Sequence, residues 1–95
     1  MSAPKMDRRL LDALTMVRIA RDRWHAAKRE VKQRCDLSIE WMRAKPSRTV
    51  GDAHAYVGLR SAMDARRDAK RDLVEAVDSL LSLGADLDAM KAEGT

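Results

Sequence analysis

Few residues in this chain have the types and spacings that chemistry requires. Two histidines, His25 and His54, and a single cysteine, Cys35, are its imidazole and thiol side chains, the types that ligate transition metals. A tetrahedral metal site needs about four such donors, commonly delivered as His-x-x-x-His or Glu-x-x-His pairs on one helical face. Asp22 and His25 share a face by their three-residue offset, but Asp52 and His54, two apart, do not. Neither histidine belongs to a paired motif, and one thiol cannot complete a thiolate set, so no metal and no cofactor are expected. Cys35 falls on apolar spacing, where a thiol acts as a small hydrophobe. There is no glycine-rich phosphate loop and no serine in a nucleophile elbow. The expectation is a protein that is not an enzyme and takes no small-molecule substrate.

Charge offers more. Arg18, Arg21, His25, Lys28, Arg29 and Lys32 fall within about a quarter-turn arc of a helix and form a basic stripe roughly 20 Å long. Such a ridge can lie along a phosphate backbone and release its counterions. No helix-turn-helix, zinc-finger or basic-zipper pattern accompanies it, and aromatics that would stack on bases make up only 3% of the chain. The plainer reading is a solvated face. A second ridge, Asp64, Asp68, Asp72, Glu75 and Asp78, is interleaved with Arg60, Arg67 and Arg71 at offsets that allow local ion pairs. Residues 1–48 hold thirteen Lys or Arg against six Asp or Glu, and residues 49–95 hold six against nine. Charge is thus divided between the two halves.

The elements that carry these ridges follow from periodicity. Leu10, Leu14, Val17, Trp24, Val31, Cys35 and Met42 recur at threes, fours and sevens, with Ala20, Ala27 and Ser38 beside them, which predicts a helix over about 6–43. Lys45-Pro46 ends it, since the residue before proline is pushed out of the helical region. After a connection over 44–49, Thr49 and Asp52 have the spacing of a capping box. A second helix over about 50–83 then has an apolar face through Tyr56, Leu59, Met63, Leu73, Val77, Leu80 and Leu81, with Ala62, Ala69 and Ala76 alongside. Leu83-Gly84 reads as a C-terminal cap, followed by a short helix over about 86–91. Turn residues are too sparse for strands.

The fold class is therefore all-α, a single domain in which an antiparallel helical hairpin pairs with a second copy into a four-helix bundle of coiled-coil type. A two-helix seam of this size supplies only about 3 to 5 kcal/mol, which argues for an associate. Met16, Ile19, Leu37 and Trp41 lie off the seam and are the expected partner-binding residues, tryptophan being common among binding hot spots. Leu37 and Trp41 have a plainer reading, as packing beneath the connection and against the short C-terminal helix. No run approaches the roughly 18 apolar residues of a membrane span, no signal-peptide core is visible, and the composition suits a cytoplasmic protein of bacterial or phage origin. The function expected is a homodimeric protein-binding adaptor, regulator or inhibitor. A nucleic-acid-binding protein using the basic stripe and a structural subunit of a larger assembly are the alternatives.

Overall fold

The structure, a computed structural model, describes residues 7–93. These form three helices and, among the described residues, no strand: α1 over Arg8–Ala44, α2 over Val50–Val57 and α3 over Leu59–Glu93. The start at Met6 read from the sequence lies outside the described residues. At Asp7 the side chain accepts the Arg9 amide at 2.8 Å, closing the first turn of α1 from outside. The 37 residues of α1 make a rod roughly 55 Å long. It ends at Lys45, extended at φ −143°, immediately before Pro46.

Thr49 opens α2. Its hydroxyl accepts the Asp52 amide at 3.2 Å, and the Asp52 carboxylate accepts the Thr49 amide at 3.1 Å, so both halves of the capping box are made. The Thr49 hydroxyl also donates to that carboxylate, and this bond is the chief reason the Asp52 carboxyl is held below its ordinary value. Asp7 is lowered in the same direction, first by its side-chain hydrogen bond from Arg9.

Two expectations for the second half are corrected. The helix expected over 50–83 is broken after one short segment, at Gly58, which sits at φ +66° while its amide reaches the His54 carbonyl at 3.2 Å. Left-handed backbone is open to glycine without a Cβ clash. No break occurs at Gly84, and the separate helix expected over 86–91 is simply the end of α3. A glycine becomes a cap only when the pattern behind it stops. Here Leu80, Leu83 and Leu87 continue the spacing of threes and fours across it, and burial on that stripe offsets the roughly 1 kcal/mol a helical glycine costs.

The third correction concerns which residues meet. α1 packs chiefly on α3, and α2 packs on α1 beside the connection. Along α1 the buried and half-buried positions include Leu10, Ala13, Val17, Ala20, Trp24, Ala27, Val31, Ser38 and Trp41; along α3 they include Leu59, Ala62, Ala69, Leu73, Ala76, Leu80, Leu83 and Leu87. The alanines expected beside the seam are its substance. Leu14, Tyr56, Met63 and Leu81, expected in it, are exposed. The alanines alternate there with Leu, Val and Trp, while Leu14, Tyr56, Met63 and Leu81 fall at its edges.

The best-buried side chains gather near the connection, where Val31 meets Val57, Leu59 and Ala62, with Cys35 packed against them. Buried Ser38 donates to the Arg34 carbonyl at 2.8 Å, so its hydroxyl is satisfied within its own helix. The body measures 72 × 25 × 12 Å with a radius of gyration of 21.2 Å. A compact domain of this length has a radius of gyration of about 12 Å.

Candidate interaction surface

Three surfaces carry the side chains singled out in the sequence. The first is the connection end. Trp41 is half-buried, stacked on Tyr56 with ring centroids 5.1 Å apart and planes 17° from parallel. The Arg48 guanidinium lies 4.0 Å from the Trp41 ring centroid, and its Nη1 donates to the Trp41 carbonyl at 2.9 Å. Trp41 thus fastens the connection and α2 to α1, and it does so against α2, since no short C-terminal helix exists to cover it. Leu37, one turn before it, remains exposed.

The second surface is a groove of 390 Å³ along one flank of the seam, with Ala13, Met16, Ile19 and Ala20 of α1 facing Ala76 of α3. Met16 is 58% and Ile19 40% exposed. The rim carries Arg23 from α1 and Asp72, Glu75 and Ser79 from α3. The ion pairs of these helices lie elsewhere, at Arg21–Asp22, Arg34–Glu30, Arg67–Asp64, Arg67–Asp68 and Arg71–Asp68. Among the described residues, Arg23, Asp72 and Glu75 have no opposite charge within ion-pair distance. An apolar floor with unpaired charges of both signs at its edge is suited to another protein surface, where desolvation strengthens complementary pairs.

The third surface lies on the other flank. Projection at the helical pitch turns Arg18, Arg21, His25, Lys28 and Lys32 away from the Met16 groove and onto this side. All of them are exposed. Trp24 and Lys28 line a groove there with Arg66, Arg67 and Lys70 of α3. The Lys28 ammonium sits 3.9 Å over the Trp24 ring, and His25 tilts against that ring at 5.7 Å. The sequence division into a basic half and an acidic half missed this gathering, because Arg66, Arg67 and Lys70 belong by count to the acidic half. Their offsets from Ala69 on the seam were the available signal.

His54 stays apart from His25, lining a shallow hollow with Gly51, Gly58 and Arg60. Among the described residues, no three His, Cys, Asp or Glu side chains are grouped as a metal site would require, and no helix is long and apolar enough to cross a membrane.

No family model matches the chain, and no curated protein or solved structure matches it either.

Proposed function

We propose that this chain is a non-enzymatic protein-binding module, an antiparallel helical hairpin that pairs with a second copy of itself into a four-helix bundle and serves as an adaptor or regulator. The observation that carries the reading is the groove of Met16 and Ile19, edged by Arg23 on one helix and Asp72 and Glu75 on the other. A two-fold axis through that groove sets the Arg23 of one copy against the acids of its mate, and the reverse. The same surface thus serves both copies. Area argues the same way: the chain exposes 7651 Å², whereas a globular protein of its mass exposes about 5,500 Å². The excess on one chain is more than the roughly 800 Å² that each partner buries in a standard interface.

Light scattering over a concentration series tests the pairing. Mass should double as concentration rises, and Met16→Asp with Ile19→Asp should hold the chain monomeric without loss of helix content, because both residues are exposed. A complementary test uses two variants, Arg23→Glu and Asp72→Arg with Glu75→Arg. Each alone should pair poorly, and mixing them should restore dimers. A mass that stays monomeric at every concentration overturns the proposal.

A further inference from the structure

The flank opposite the Met16 groove carries an independent inference. Of the five side chains that line its hollow, four are cations, Lys28, Arg66, Arg67 and Lys70, and the fifth is Trp24. No carboxylate is among them. Arg67 leans back toward Asp64 at 3.7 Å and Asp68 at 3.6 Å, while among the described residues Lys28, Arg66 and Lys70 have no carboxylate within ion-pair distance. Gathering like charges from two helices over one indole opposes itself unless an anion relieves it. Arg21 and Lys32 extend the cationic field along α1 on the same side.

We infer that this two-helix cationic face binds the phosphate backbone of a double-stranded nucleic acid. The cations from Arg18 to Lys32 span roughly 20 Å, and those of α3 widen the field across the second rod, as suits a duplex presenting one charge per about 1.7 Å of axis. Single strands are instead held by rings that stack on bases. The one ring in this hollow is covered by the Lys28 ammonium, so contact is with phosphates and not with base faces. The charges are exposed Lys and Arg side chains, which contact phosphates without reading bases, so binding is indifferent to sequence. This surface does not include the groove proposed for self-pairing, and either can fail without the other.

The test is fluorescence anisotropy on labelled random duplex DNA, the matching duplex RNA and poly-glutamate, using the full chain. Both or one of the duplexes should bind at about 50 mM salt, with the logarithm of affinity falling linearly against the logarithm of salt by about 0.9 per phosphate neutralised. Lys28→Glu with Lys70→Glu should weaken binding at least tenfold and flatten that slope by about two phosphates. The charge-preserving pair Lys28→Arg and Lys70→Arg should bind as the parent does. Arg8→Glu with Lys91→Glu, equal in net charge but remote from the hollow, should change affinity far less. The inference is overturned by absence of binding to either duplex at that salt, by poly-glutamate binding as tightly as the duplexes, or by the remote pair weakening binding as much as the central one.

Discussion

The two ends of this molecule are built differently. Near the connection, branched side chains from all three helices meet: Val31, Val57 and Leu59 with Ala62 form a cluster, and Trp41, Tyr56 and Arg48 stack beside it. Toward the far end only two rods remain, joined through Leu10, Ala13, Val17, Ala76, Leu80 and Leu83, while Leu11, Leu14, Met16, Ile19 and Leu81 face outward. A third element makes the difference. Two helices present a line of contact, whereas α2 turns that line into a small enclosed volume, and burial repays chain entropy only where side chains are surrounded.

That contrast is broken most directly by truncation. Leu59→Ala, at a residue only 7% exposed, should cost about 2 to 4 kcal/mol in denaturant unfolding. Leu81→Ala, at a residue 65% exposed, should change the stability of the isolated chain by less than about 0.5 kcal/mol. Equal losses would dissolve the distinction between the ends.

Glycine substitution sharpens it with opposite signs. Gly58→Ala should destabilise by about 1 to 2 kcal/mol, since the added methyl meets nothing within 4 Å and the whole cost is left-handed backbone. Gly84→Ala should raise the melting temperature, by an amount corresponding to about 1 kcal/mol, because it lies inside α3 with open space for a Cβ.

A smaller effect is expected at the start of α2, where Thr49→Ala should remove a cap bond worth about 1 kcal/mol. The capping carboxylates also set a pH dependence. Asp52 and Asp7 titrate below their ordinary value when folded. Their contribution is therefore complete above the unfolded carboxylate pKa of about 3.9 and is lost as pH falls through the lower folded value. Circular dichroism from pH 6 downward should show loss of helix setting in below the ordinary carboxylate range, and Asp52→Asn should reduce that acid sensitivity.

The same contrast explains what the sequence made legible. Helical character follows from local spacing and survives, and the capping box at Thr49 and Asp52 is decided by four consecutive residues, so it could be read directly. Glycine behaviour could not, because Gly58 and Gly84 differ only in what packs on either side of them. Most residues expected in the seam lie in it, from Leu10, Val17, Trp24 and Val31 to Leu59, Leu73 and Leu80, and its edges were misjudged at Leu14, Tyr56, Met63 and Leu81 for a related reason. Large side chains such as Leu14, Met63 and Leu81 dominate any hydrophobic projection, yet alanines at seven-residue intervals, Ala13, Ala20, Ala27 and then Ala62, Ala69, Ala76, are buried or half-buried between the rods. Of the surface residues, Met16 and Ile19 could be placed off the seam by their angle alone. Trp41 needed knowledge of Arg48 and Tyr56, which reach it only once the connection has turned.

The cluster beside the turn also has a kinetic meaning. Its contacts join Val31 to residues fewer than 35 positions away, and every further layer outward closes a longer loop for a smaller side-chain reward. The chain should therefore zip from the turn toward its ends and unzip in reverse, with backbone amides near Leu10 and Leu87 exchanging with solvent deuterium much sooner than those near Val31 and Ala62.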